Sequence, residues 1–414
     1  MPELATLLTC TGCAACVDAC PRAALAMVED AEGFAQPRLD ASRCIECDMC
    51  TRACPVVSPG APAPAPGLPA AYAAWTTDEA ARARSSSGGV FGALAAHVLA
   101  EGGVVVGAAA DGLAVRHELA TTLDEARRLQ GSKYLQSETT GIYRRVLERL
   151  KTGQRVLFSG TPCQVDGLLN LAAHARGREH LLTCDVACRG VPSRRFWQRY
   201  VAGQGAGYDQ LVGFRDKRDG WRNSHVITLR ASRDGCSVRG TYQSGDLFLR
   251  AYSSAYLIMR NSCYACPFAR LARRADLTLA DFWGLRRFPE EHARGVSLVV
   301  AHTATGRTLL ESCPALVRHP ASWAEALPAN PRLYEGQSDL PLRAAFGRRH
   351  LAAALRHASL PVLNKLYTGR VPRWQVWWWP YKLDLRRRDA AAARRRAELR
   401  QALVGDRLTE GSPS

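Results

Sequence analysis

Several things the chain lacks narrow what it can be. No stretch approaches the ~18 consecutive apolar residues of a membrane-spanning helix. The N-terminus carries no basic-then-apolar leader, so a cytoplasmic protein is expected. No G-x-G-x-x-G occurs, so the usual Rossmann dinucleotide fingerprint is excluded. Acidic residues are scarce: 38 Asp and Glu stand against 55 Lys and Arg, a net charge of +17. The excess is local, with fifteen Lys or Arg and three Asp or Glu between Arg343 and Arg400. A polyanionic partner would therefore meet the C-terminal segment and not the body.

What the chain has in abundance is cysteine. There are 15, an odd number that full disulfide pairing cannot use. Cys10, Cys13, Cys16 and Cys20 precede Pro21, and Cys44, Cys47, Cys50 and Cys54 precede Pro55. Both runs read C-x2-C-x2-C-x3-C-P, the bacterial ferredoxin pattern for two [4Fe–4S] clusters. Three closely spaced thiolates wrap one cubane, and the remote fourth reaches the other. The expected sets are Cys10, Cys13, Cys16 with Cys54, and Cys44, Cys47, Cys50 with Cys20. Zinc sites instead use CxxC pairs set well apart. Residues 1–57 are thus read as a ferredoxin-like module that moves single electrons. It is too small for a sufficient core, so its clusters must hold it together.

A Pro/Ala linker over 58–70 should be extended and semi-rigid, leaving the ferredoxin to dock as a separate module. From Ala71 the pattern alternates. Strands are predicted at 24–28, 34–39, 71–75, 104–109, 155–158 and 180–183. Helices are predicted from Val90 to about Leu99, over 137–150 and over 164–173, with antiparallel strands from Leu211 to Leu249. The fold class is α+β or mixed α/β: the ferredoxin module, then a mixed α/β body over 71–310.

Seven further cysteines lie in or near the body. Cys263 and Cys266 form a C-x2-C before Pro267, while Cys163 and Cys188 each follow a predicted strand. Neighbouring strand ends share one rim of an α/β sheet, where ligands usually bind. These four thiolates suit a third [4Fe–4S] cluster, the alternative being buried free cysteine. Cys236 and Cys313 are assigned to that buried class. Ser85-Ser-Ser-Gly-Gly89 enters a helix N-terminus and suits a phosphate, although a capped helix alone explains it. Gly131-Ser-Lys-Tyr134, Arg215-Asp-Lys217, Gly220-Trp221 and Asp281-Phe-Trp-Gly284 offer charge beside aromatic rings; solvated turns and core tryptophan are the alternatives.

Taken together these segments resemble the beta subunits of coenzyme F420-reducing hydrogenases and F420H2 dehydrogenases. The resemblance rests on Ser85–Gly89, Gly131–Tyr134, Gly160-Thr-Pro-Cys-Gln164, Cys188-Arg-Gly-Val-Pro-Ser193, Phe214–Lys217 with Gly220-Trp221, Cys263-Tyr-Ala-Cys-Pro267 and Asp276–Gly284, in the family's order over about 71–305. It implies a non-Rossmann FAD site near Ser87, Gly88, Gly89, Lys133 and Thr161. It also implies a third cluster on Cys163, Cys188, Cys263 and Cys266. Relatives commonly have Cys-His-Gly where this chain has Cys188-Arg189-Gly190, and arginine cannot shuttle protons. The expected activity is an iron–sulfur flavoprotein oxidoreductase. It would link a hydride carrier, F420-like or NAD(P)H, to a redox partner protein or reducible substrate. Bacterial relatives are associated with surface-polysaccharide genes. A non-catalytic relay or scaffold subunit is the alternative.

The extension over 311–414 is basic and rich in tryptophan, with irregular chain over 320–342 and helices predicted at 350–363 and 384–403. Trp374, Trp377, Trp378 and Trp379 are four of the chain's nine tryptophans. Rings beside cations over 374–400 suit peripheral contact with the inner face of a membrane, or docking on the body or a partner subunit. No motif supports nucleic-acid binding.

Overall fold

The computed structural model describes residues 1–62, 68–205, 207–255 and 258–334. Part of the linker and the extension from 335 onward lie outside the described residues. So do the helices predicted at 350–363 and 384–403 and the candidate membrane contact over 374–400. Among the described residues no helix is long and apolar enough to cross a membrane.

The N-terminal unit is an antiparallel hairpin of β1 (Leu25–Glu29) and β2 (Ala35–Leu39), with short helices Ala15–Ala19 and Met49–Ala53 in the two cysteine runs. The body is built on one sheet. Its strands are β3 (Ala70–Thr76), β4 (Val104–Asp111), β5 (Ala114–Ala120), β6 (Val156–Gly160), β7 (Leu181–Val186), β11 (Leu277–Asp281), β12 (Ser297–Ala301) and β13 (Leu316–Ala321). They lie in the order β13-β3-β12-β11-β7-β6-β4-β5. Strands β4, β6, β7 and β11 run parallel, and the flanking pairs are antiparallel. The parallel strands are nearly continuous apolar runs because both faces are covered. Helices Val90–Ala100, Leu123–Leu129 and Ala304–Ser312 cover one face. Helices Ile142–Lys151 and Pro162–Leu171 cover the other, together with Cys13, Ala15, Ala19 and Ala53 of the ferredoxin. A second sheet of β8 (Gln210–Arg215), β9 (His225–Arg230) and β10 (Ser237–Thr241) packs with helix Arg194–Ala202.

Several expectations need correction. The helix predicted over 137–150 begins at Ile142, because Ser137 and Thr139 are buried and spent on hydrogen bonds to His117 and Cys13. Leu247–Arg250 is a short helix capped by Asp246 and not a strand end. Pro320 sits in edge strand β13, where a missing N–H is tolerated, so the irregular segment starts later than predicted. Cys313 is buried as expected, but Cys236 is exposed in the turn before β10.

The ferredoxin is also no loosely tethered module. Cys13 O accepts from Thr139 Oγ1 at 2.7 Å and from the Tyr143 hydroxyl at 2.8 Å. The Asp18 carboxylate accepts from Gly141 N at 2.7 Å and Tyr143 N at 3.1 Å, capping helix Ile142–Lys151, whose own N-cap is a glycine. Gly167, on the helix that carries Cys163, faces Ala15: a Cβ there would lie 2.9 Å from Ala15 Cβ and 3.4 Å from Cys13 Sγ.

Candidate redox site

The two ferredoxin runs fold alike. Gly12 and Glu46 have φ of 70° and 53°, and Ala14 and Asp48 have 59° and 55°, so equivalent positions make the same left-handed turns. Non-glycine residues pay for that conformation, and here it curls each Cys-rich loop around one point. Cys16 is pushed up to about 12, first by burial and then by the nearby thiols of Cys10 and Cys54. Burial raises Cys50 too, with Cys20 and Cys47 adding to it. Cys44 lines a small cleft with Cys20, Cys47 and Cys50. The chain therefore gathers Cys10, Cys13 and Cys16 with Cys54, and Cys44, Cys47 and Cys50 with Cys20. All are free thiols.

A third group forms at the C-terminal ends of the parallel strands. Cys163 follows β6, with Pro162 in the first helical turn. Gln164 Oε1 accepts from the backbone and hydroxyl of Thr161, both at 3.0 Å. Cys188 follows β7, and Gly190 N donates to its sulfur at 3.3 Å. Cys263 lies in the short helix Asn261–Tyr264, with Cys266 just after it. Gly190 has φ of 119°, and a Cβ on it would lie 3.1 Å from Cys263 Cβ. The loop after β7 thus closes directly on Cys263. Burial pushes Cys163 up to about 11 and Cys263 up to about 12, and neighbouring thiols add to both. Cys188 is raised well above the ordinary thiol range, by burial first and Cys263 next. Burial raises Cys266 as well. Among the described residues no group of three or more His, Cys, Asp or Glu side chains is arranged to hold a metal ion. Cys184, the remaining body cysteine beside these, is core on β7.

All four thiols line one cavity of about 440 Å³, which also takes in Ser85, Ser86, Ser87, Gly89, Lys133 and Thr161. Gly89, with φ of 82°, is the N-cap of helix Val90–Ala100. Gly88 is the exception among the predicted cofactor residues, since it does not line the cavity. Its N–H donates to Ser297 Oγ at 3.0 Å, and a Cβ there would collide with Ala74 O. Its smallness lets the loop lie against the sheet. Ser87 Oγ is likewise turned to the Val296 carbonyl, at 2.9 Å. The hydroxyl of Thr161 lies 3.0 Å from Gln164 Oε1 and 3.2 Å from Cys163 Sγ. Half-buried Lys133 donates to the carbonyls of Gln130 at 2.7 Å and Arg128 at 3.0 Å. Burial lowers its pKa to about 7.

The charged and aromatic segments converge here. Arg215 pairs with Asp281 at 2.8 Å, and Trp221 Nε1 donates to the same carboxylate at 3.2 Å. Arg215 also donates to the Tyr134 hydroxyl at 3.1 Å and the Ser86 carbonyl at 2.7 Å. Lys217 donates to the carbonyls of Ser87 at 2.8 Å and Arg294 at 3.0 Å. These cations clamp the serine–glycine loop. Arg189 lines the cavity and donates to Ser253 O at 3.0 Å. Two cavity residues escaped the sequence reading. His225 lies between the rings of Tyr134 and Trp283, and buried His117 bonds Ser137 and Ser159 O. Burial lowers both to about 4. No local pattern marks either histidine.

A two-run cysteine module sealed onto a mixed-sheet body, with more thiols at the strand ends, defines an iron–sulfur electron-transfer protein. The family model for the coenzyme F420 hydrogenase/dehydrogenase beta subunit N-terminus matches residues 71–143, and that for its C terminus matches 153–316. A 4Fe-4S dicluster domain matches 9–57. The chain belongs to the coenzyme F420 hydrogenase/dehydrogenase beta subunit family. Among solved structures, a chain of the xenon-derivatised F420-reducing [NiFe] hydrogenase complex from Methanosarcina barkeri is 15% identical, covering 71% of this chain and 95% of that one at a TM-score of 0.46. No curated protein matches.

Proposed function

We propose that the protein is a flavin-dependent iron–sulfur oxidoreductase exchanging electrons between a hydride carrier, F420-like or NAD(P)H, and a one-electron partner. The observation that carries this reading is the shared cavity: four cysteines and a glycine-rich helix N-terminus line the same space. Its volume of about 440 Å³ is within the range of cofactor pockets, about 300–1,000 Å³. The first turn of helix Val90–Ala100 and Lys133 suit the phosphates of FAD, and Tyr134, Trp283 and His225 offer ring faces. Bound there, a flavin would convert hydride pairs to single electrons, the currency of [4Fe–4S] clusters.

The chain's own contribution is placement. Cys163, Cys188, Cys263 and Cys266 form an inner set on the cavity wall. Cys10, Cys13, Cys16 and Cys54 form a proximal set, Cys13 lying against the helix that starts beside Cys163. Cys20, Cys44, Cys47 and Cys50 form a distal set, with Cys20, Cys44 and Cys47 half-buried. The three sets stand in series from cavity to ferredoxin surface. Arg215 and Lys217 hold the loop that frames the cavity, and Asp281 neutralises Arg215.

Anaerobic purification with iron and flavin assays tests this: about twelve iron and one FAD per chain are expected. Cys263→Ser should remove about a third of the iron. A colourless protein, or unchanged iron in that variant, would sink the reading. If flavin binds but neither reduced F420 nor NAD(P)H bleaches it in stopped flow, the relay-subunit alternative takes over. Co-sedimentation with anionic vesicles, with and without residues 374–400, tests the membrane contact.

A further inference from the structure

Arg260 is wholly buried, with no side-chain exposure to solvent. A buried guanidinium ordinarily pairs with a carboxylate, because an uncompensated charge in the interior is costly. Here no Asp or Glu pairs with it among the described residues. It donates to the carbonyls of Cys10 at 3.4 Å and Ala35 at 3.0 Å, and to Gln136 Oε1 at 2.7 Å. Among the described residues its Nε has no hydrogen-bond partner. Its ring contact is Phe34, whose centroid is 5.1 Å from the guanidinium carbon.

Its position is as unusual as its isolation. A Cβ on Gly12, between Cys10 and Cys13, would lie 2.5 Å from Arg260 Nη2. Its own N–H donates to Val191 O at 2.9 Å, three residues after Cys188. Its carbonyl accepts from Cys263 N at 3.1 Å. Ser262, two residues on, donates to Cys10 O at 2.9 Å. One positive charge therefore sits where loops from the inner and proximal thiolate sets meet. The distal set contributes nothing to this junction.

Each four-thiolate iron–sulfur centre is an anion whose charge grows on reduction, and nearby charge and burial set its potential. We propose that Arg260 is the buried counter-charge shared by the inner and proximal thiolate sets, holding both at a higher reduction potential than they would otherwise have. The inference rests on the cluster assignment above. It makes Arg260 a tuning residue that touches neither substrate nor cavity. A unit charge about 12 Å away at an effective dielectric near 20 shifts an equilibrium by about tenfold, and a closer one by more.

The test is a redox titration followed by EPR on the full, iron-loaded chain. Cys263→Ser and Cys47→Ser assign the inner and distal signals by subtraction. Arg260→Gln should make reduction of the inner and proximal centres about tenfold less favourable, roughly 59 mV for one electron. The distal centre should stay put. Arg260→Lys, which keeps the charge and loses the fork, should stay near wild type. Selective loss of inner and proximal iron in Arg260→Gln, but not in Arg260→Lys, would also support the counter-charge. Full iron with unchanged potentials in Arg260→Gln would overturn it. Equal iron loss in both variants would overturn it too, leaving only a structural fork. Wild-type iron near eight with no inner signal would refute the cluster assignment itself, before any Arg260 variant is read.

Discussion

Gly167 offers a test in which packing and helix propensity predict opposite signs. It lies inside helix Pro162–Leu171, where Gly→Ala ordinarily stabilises by about 0.8–1.0 kcal/mol. Here the added methyl would come within 2.9 Å of Ala15 Cβ, too close for two carbons. Overpacking of this kind costs about 1–3 kcal/mol. The net expectation for Gly167→Ala is destabilisation of about 0–2 kcal/mol, because the ferredoxin must back away from the helix. Thermal unfolding of the iron-loaded protein, followed by cluster absorbance, is the assay. For a unit of 150–250 residues the midpoint moves about 2–4 °C per kcal/mol. Ala15→Gly in the same chain should relieve the contact, giving a double-mutant coupling of about 0.5–3 kcal/mol. A rise in midpoint for Gly167→Ala alone, the behaviour of an open helical site, would refute a tight ferredoxin–body seam.

Three further outcomes are expected. Asp281→Asn leaves the Arg215 charge buried without its partner, so the chain should lose about 3–5 kcal/mol in denaturant unfolding and retain less flavin. Gly88→Ala drives a methyl into the Ala74 carbonyl; a loss of about 1–3 kcal/mol and a weaker flavin site should be seen together by calorimetry and fluorescence. Lys133 releases its proton near pH 7 when folded, against 10.5 ordinarily. The unfolded chain thus holds the extra proton between these values, and the unliganded fold gains stability as pH rises through that window. A bound phosphate needs the protonated form, so flavin affinity should fall above pH 7 by at most about tenfold per pH unit, and Lys133→Gln should flatten the profile.

What was legible in the sequence was what depends on local spacing. The two C-x2-C-x2-C-x3-C-P runs carry their spacing in consecutive residues, so the dicluster domain could be named without a structure. The strands that precede Cys163 and Cys188 were also visible as apolar runs, and their parallel pairing brings those cysteines to one rim. Long-range packing was not legible. Gly88 and Ser87 resemble ligand residues in a string of Ser and Gly, yet their hydrogen bonds go to β12 and the residue before it. Lys217 and Arg215 resemble a solvated turn, yet they reach across to the serine–glycine loop before helix Val90–Ala100. The linker suggested a free module because proline content describes the tether and not the surfaces it joins. Arg260 sits in an ordinary-looking Met-Arg-Asn-Ser, and only the closing of the ferredoxin over it shows that the charge has no acid beside it.

The seam between the two parts also decides which ferredoxin cysteines solvent can reach. Cys10 and Cys13 retain 7% exposure each, and the carbonyls of both accept hydrogen bonds from body residues. The body thus shields these two thiols from solvent on the side it covers, while Cys20, Cys44 and Cys47 stay half-buried on the ferredoxin's outer side.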